Sequence, residues 1–173
     1  MAYTYEYPRP TVTVDAIVFW LQPNDLQVLL IKRKKDPFGG CWGFPGGFMD
    51  MNEPPEVAVT RELEEETGLK LHHTVQIGAF GAVNRDPRHR TVSIAYLSVL
   101  KDDPGAVEGA DDAAEARWFS LHDVPLRLAF DHKEILTQAK VFADMYFRTA
   151  VPGSDEAFGL SQSDIDQLIN HVA

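Results

Sequence analysis

Residues 46–69 read Gly-Gly-Phe-Met-Asp-Met-Asn-Glu-Pro-Pro-Glu-Val-Ala-Val-Thr-Arg-Glu-Leu-Glu-Glu-Glu-Thr-Gly-Leu. The stretch is a glycine loop, a helix and a stop. Asn52 or Glu53 is placed to cap the helix, and Pro54 and Pro55 suit its first turn, where a missing N–H costs little. Val57, Ala58 and Leu63 give it an apolar side. Gly68 suits the left-handed residue that ends it, with Leu69 folding back over the end. The charges break this pattern. Glu62, Glu64, Glu65 and Glu66 crowd the last turn, where the macrodipole favours cations. Glu62 faces both Glu65 and Glu66 at helical spacing, which costs roughly a few tenths of a kcal/mol per like-charged pair. Arg61 offsets only part of this. A local rule broken without local compensation marks a functional site. Three carboxylates on one helical face suit Mg²⁺, which takes carboxylates, waters and substrate phosphates as ligands. An ordinary solvated acidic face is the competing reading.

The rest of the composition narrows the class. A chain of 173 residues, 45% hydrophobic and 24% charged, fits one globular domain with a sizeable core. A net charge of −10 argues against non-specific binding to nucleic acid or to acidic membranes. Any phosphate ligand must then be met by local cations or by metal. The single cysteine, Cys41, excludes an intrachain disulfide and fits a reducing, cytoplasmic setting. The first residues lack the basic and apolar regions of a signal peptide, and the apolar run Ala16 to Leu21 is too short to span a bilayer.

Taken in order, residues 1–10 are aromatic and proline-rich and read as an extended arm. Thr11 to Trp20 is expected to be a strand with Val12, Val14, Ala16 and Val18 on one face. A turn at Pro23-Asn24-Asp25 leads to a strand over Gln27 to Lys32. The run Lys32-Arg33-Lys34-Lys35 is either a solubilising edge or, for Arg33, a group facing an anionic ligand. In the loop from Asp36 to Gly47, Trp42 and Phe44 are expected to anchor the chain to the core. Strands follow over Val75 to Val83 and Thr91 to Leu100. Between them lies Asn84-Arg85-Asp86-Pro87-Arg88-His89-Arg90, a cationic loop in an acidic chain. Arg85, Arg88 and Arg90 are candidates for holding phosphate, because the guanidinium fork meets phosphate bidentately. The acids of residues 101–114 are read as solvated. A short strand covers Ala116 to Phe119. Asp131 is expected to cap a helix running to about Arg148, with His132 in a structural role. The chain breaks at Pro152-Gly153-Ser154-Asp155, and Ser161 or Ser163 caps a last amphipathic helix carrying Ile165, Leu168 and Ile169.

Gly47, five residues, Glu53, seven residues, Arg61-Glu62-Leu63, one residue, Glu65-Glu66, one residue and Gly68-Leu69 match every fixed position of the Nudix box. The chain resembles the Nudix hydrolases. That resemblance implies an α/β fold, a Nudix-type α/β/α sandwich around a mixed β-sheet, with residues 1–173 as one domain, 1–10 an arm and 125–173 the C-terminal helices. It implies metal-dependent hydrolysis of a nucleoside diphosphate linked to X. Mg²⁺, with Mn²⁺ as the substitute, would be held by Glu62, Glu65 and Glu66 and by a carbonyl from Gly46 or Gly47. Glu53 and Arg61 would hold the carboxylates in place. The general base would be a box glutamate or Glu115, an acid entering the Trp-bearing strand. Arg85-Asp86-Pro87-Arg88, the strand after it, and Leu128 to His132 resemble the ADP-ribose pyrophosphatase branch. The expected reaction is ADP-ribose to AMP and ribose 5-phosphate. The alternatives are a non-catalytic ADP-ribose-sensing module and a nucleoside triphosphate pyrophosphohydrolase. In the family's ADP-sugar hydrolases the N-terminal region often helps to build a dimer, so the arm is read as packing either on its own domain or on a second copy in a homodimer. A small-molecule nucleotide is the expected substrate, with neither nucleic acid nor membrane as partner.

Overall fold

A computed structural model describes residues 4–149 and 158–173. Its centre is β1 (Thr11–Gln22). Along one side β1 runs parallel to β6 (Thr91–Leu100), from Thr11↔Thr91 to Trp20↔Leu100. Along the other its two halves take different partners. Phe19 to Gln22 pairs with the start of β2 (Asp25–Arg33), whereas Thr13 to Asp15 pairs with β4 (Gly46–Phe48). Between them β3 (Trp42–Gly43) pairs with β2. Outer strands β5 (Val75–Phe80) and β7 (Ala113–Ser120) run antiparallel to β6 and β2. The seven strands form one mixed sheet.

Helices cover both faces. Val14, Ala16 and Val18 pack with Leu29 against Ala58, Val59 and Leu63 of α1 (Pro55–Thr67). Ile17, Phe19 and Leu21 face the opposite layer, Ile135 and Ala139 of α2 (His132–Thr149) with Ile165 and Leu168 of α3 (Gln162–Val172). This is the expected α/β/α sandwich. Val14, Ala16 and Val18 share one face of β1 as expected, and the other face is buried as well. A strand between two helical layers buries both faces and loses its polar alternation.

The helix ends differ in detail from expectation. Pro54 precedes α1 and makes no side-chain capping bond. The Glu53 carboxylate instead accepts from the Asp50 amide at 2.8 Å. Val57 faces outward at 49% exposure, and Val59 takes the core position. Gly68 ends the helix as expected, at φ +74°, with its N–H on the Glu64 carbonyl. Asp131 does not cap α2 with its side chain, which is taken by Arg85. Ser161 caps α3, its hydroxyl accepting from the Asp164 amide while Asp164 accepts from the Ser161 amide. Residues 4–10 are exposed and lack regular structure. The break at Pro152 to Asp155 lies outside the described residues. Among the described residues no helix is long and apolar enough to cross a membrane.

A Cβ on Gly68 would meet nothing within 4 Å, so Gly68→Ala isolates the backbone cost of the left-handed conformation. Urea unfolding should show a loss of about 1 kcal/mol, with divalent-cation binding unchanged.

Candidate active site

The division of β1 between two partners delivers β4 to the end of α1. There Arg61 gathers the acids. Its Nε and Nη2 donate to the two oxygens of Glu53 at 3.0 and 2.6 Å. Nη1 reaches Glu62 at 2.9 Å and Glu65 at 3.1 Å, and Nη2 also meets the Phe48 carbonyl at 3.2 Å. One guanidinium thus ties three carboxylates to the backbone of β4. Its hydrogen bonds to Glu53 hold that carboxyl at a pKa of about 2.

Glu66 stands apart from this fork. It is buried, and its Oε2 accepts from the Gly46 amide at 2.9 Å. Burial raises its pKa to about 8, and the neighbouring Glu62 charge adds to the rise. Burial also raises Glu62, against the opposing pull of Arg61. Two glycines make close approaches feasible, Gly46 that of β4 to β1 and Gly47 that of β4 to α1. A Cβ on Gly46 would fall 2.1 Å from the Val14 carbonyl oxygen, and one on Gly47 would fall 2.5 Å from the Glu62 carboxylate.

A cleft of about 250 Å³ opens above these groups, lined by Glu62, Glu65 and Glu66 and by Arg33, Arg85 and Arg88. Arg33 is half-buried, donates from Nε to the Pro37 carbonyl at 3.1 Å and lies 4.8 Å from the Phe130 ring. Burial lowers its pKa, and the Arg88 charge lowers it further. Arg88 pairs with Asp86 at 2.7 Å and lies over Phe48 and Phe130. Both cations therefore stand on aromatic faces at the cleft.

Three candidates are placed otherwise than expected. Arg85 reaches the cleft, but its fork is closed on Asp131 by bonds of 2.9 and 2.7 Å. Arg90 does not line the cleft and donates to the Ala82 and Thr91 carbonyls. Glu115 is exposed on β7 opposite Lys32, also outside the cleft lining. Asp111 and Asp112, read as solvated, line the cleft instead. Their loop is held to the end of α1 by the Ala110 amide on the Glu66 carbonyl and the Glu108 amide on the Thr67 carbonyl.

Beneath the cleft lies a buried polar group that sequence reasoning missed. Asp15 receives the Ser93 hydroxyl, with His132 Nε2 at 3.5 Å and Arg85 Nη2 at 3.8 Å. His132 Nδ1 accepts from the Phe44 amide at 2.9 Å. Burial lowers the imidazole's pKa and keeps it neutral. The available signal was Asp15 itself, one ionisable residue inside an otherwise apolar strand.

Among the described residues, no three His, Cys, Asp or Glu side chains already converge as a metal centre. The acids are shared out between Arg61 and the Gly46 amide. The donor set still fits a hard divalent cation: clustered carboxylate oxygens, a glycine strand held against them, and a buried Glu66 whose charged form the Gly46 amide and the Arg33 charge only partly stabilise.

Comparison with known proteins agrees with this fold. The NUDIX domain model matches residues 11–139. The ADP-ribose pyrophosphatase of Methanocaldococcus jannaschii is 42% identical over 130 residues, 75% of this chain and 73% of that protein. The ADPR responsive transcriptional repressor NtrR of Acinetobacter baylyi is 32% identical, over 78% of this chain but only 54% of the repressor. A crystal structure of a MutT/nudix family protein from Enterococcus faecalis superposes with a TM-score of 0.84 at 28% identity, covering 99% of this chain and 76% of that one. The chain belongs to the NUDIX family. It is a Nudix hydrolase, and hydrolases of this family generally require divalent metal ions.

Glu66 gives a pH test. Its folded pKa of about 8 lies above the ordinary 4.5, so in metal-free protein folding takes up a proton between those values. The stability that this group contributes therefore falls as pH rises through that window. In EDTA, wild type should lose more stability than Glu66→Gln between pH 5.5 and 8.5 in urea unfolding. Equal losses would contradict the assignment.

Proposed function

We propose that the chain hydrolyses ADP-ribose to AMP and ribose 5-phosphate, using Mg²⁺ with Mn²⁺ as a working substitute. The observation that carries this reading is one cleft lined by the box carboxylates and by two arginines on aromatic faces. A diphosphate ester carries clustered negative charge that repels an attacking hydroxide. Arg33 and Arg88 offset part of it by binding the diphosphate oxygens. Glu62, Glu65 and Glu66, with the Gly47 carbonyl, would hold the divalent cation, which when bound neutralises further charge and lowers the pKa of a water. Arg61 and Glu53 keep the carboxylates in register, a supporting role that the short bonds of the fork favour. The position of Glu115 outside the cleft supports a box glutamate as the general base. Water adds across one P–O–P bond, one phosphate leaving with the nucleoside and the other with the ribose.

The ADP-ribose pyrophosphatase relative supports this substrate. The repressor relative keeps one rival in view: a module that binds ADP-ribose without turning it over. A complete, assembled box favours turnover. The net charge of −10 supports a small-molecule rather than a nucleic-acid partner, the single cysteine a cytoplasmic setting, and the exposed arm at 4–10 a homodimer.

The test is AMP release from ADP-ribose with and without Mg²⁺, beside ADP-glucose, NADH and nucleoside triphosphates. Metal-dependent release with ADP-ribose preferred is the expected result. Binding of ADP-ribose without release would establish the sensor, and preference for triphosphates the pool-cleansing reading. Arg88→Ala should raise KM for ADP-ribose about tenfold or more, the loss of a charge-assisted contact of roughly 1.5–3 kcal/mol, with a smaller change in apparent Mg²⁺ affinity. An unchanged KM would return Arg88 to a structural role.

A further inference from the structure

We propose that His132 is a positioning residue for the metal-facing strand, fixing the backbone of Gly46 and Gly47 through the amide of Phe44. This inference rests on reading Gly47 and the box glutamates as the cation site.

The chain from Gly43 to Gly47 makes the turn between β3 and β4; Gly43 pairs with Ile31 and Gly46 and Gly47 pair with β1, while Phe44 and Pro45 lie outside both ladders. Three further hydrogen bonds hold it. The Ala16 amide donates to the Pro45 carbonyl at 2.8 Å, the Gly46 amide to Glu66 at 2.9 Å, and the Phe44 amide to His132 Nδ1 at 2.9 Å. Two of the three use side chains, that of Glu66 at 20 positions from Gly46 and that of His132 at 88 positions from Phe44. Because the Phe44 amide is a donor, Nδ1 must present its lone pair, and the ring proton sits on Nε2. Nε2 lies 3.5 Å from Asp15 Oδ1, and Asp15 is paired with Gly46 across the β1–β4 ladder. The imidazole thus holds the turn directly at Phe44 and lies beside Asp15, the residue opposite the glycine that meets Glu66.

The fit is close. The ring stacks on Phe44 at 5.1 Å with 21° between planes, and a Cβ on Gly43 would fall 2.9 Å from Nδ1. Asp15 is itself fixed by the Ser93 hydroxyl, and Arg85 joins it to Asp131, the residue before His132. A residue that merely filled the core would need only volume. The arrangement here needs a hydrogen-bond acceptor at one ring position.

That difference is testable on the full chain, with Mn²⁺ binding read by electron paramagnetic resonance in the absence of substrate. His132→Phe keeps the ring without an acceptor. His132→Asn can set its carboxamide oxygen near the place of Nδ1, whereas the longer His132→Gln reaches toward that of Nε2. Supporting groups of this kind typically control metal affinity by 10–100-fold, so Phe and Gln should weaken Mn²⁺ binding about tenfold or more, with Asn within about threefold of wild type. KM for ADP-ribose at saturating metal should move less than the Mn²⁺ Kd. Wild-type Mn²⁺ affinity in His132→Phe would overturn the proposal. If His132→Phe fails to fold, equal Mn²⁺ affinity in the Asn and Gln variants would do so. Because no substrate enters the binding measurement, failure of ADP-ribose as substrate would leave this test intact.

Discussion

The site depends on one guanidinium. Arg61 sits at the middle of α1, beside carboxylates that the helix dipole and their own repulsion both disfavour. Its fork makes the arrangement tolerable by binding Glu53, Glu62 and Glu65 together with the Phe48 carbonyl. The geometry of the fork matters as much as its charge. Its three nitrogens meet four acceptor groups, which a single ammonium cannot do in the same directions. Glu66 lies beyond its reach and is held by a backbone amide instead. The result is a set of acids whose positions are fixed but whose charge is only partly compensated, the condition in which a divalent cation binds with advantage.

The sheet supplies the rest. Because β1 pairs with β2 in one half and β4 in the other, the glycine strand lies against α1 while the β2 end brings Arg33 to the same cleft. Parallel pairing of β1 with β6 sets the preceding loop, with Asp86 and Arg88, at the cleft's other boundary. The N-terminus of α2 then places three consecutive residues there. Phe130 underlies Arg33 and Arg88, Asp131 holds Arg85, and His132 holds Phe44. The box carboxylates and the cleft's arginines thus share one frame, with buried Asp15 also lining the cleft.

Much of this was readable from the sequence where the chemistry is local. The helix, its glycine stop and its acidic end follow from spacing within two dozen residues, and β1, β6 and α2 from periodicity and β-branched content. What could not be read depends on contacts far apart in the chain. The His132–Phe44 bond spans 88 positions, so Asp131 and His132 looked like an ordinary cap and an ordinary core histidine. The cationic loop was visible as a loop, but only folding shows that Arg85 closes on Asp131 and Arg90 on carbonyls. Glu115 and the acids at 111–112 were exchanged for a related reason. Backbone bonds from Glu108 and Ala110 to the end of α1 decide which part of an acidic loop meets the cleft, and composition carries no trace of them.

The most direct measurement is Mn²⁺ binding to Arg61→Lys, with folding followed by circular dichroism. If one planar fork sets the carboxylates for a cation, the variant should remain folded, since the apolar face of α1 is untouched, and should lose Mn²⁺ affinity about tenfold or more. A folded Arg61→Lys protein with wild-type Mn²⁺ affinity would contradict the dependence of the cation site on that guanidinium.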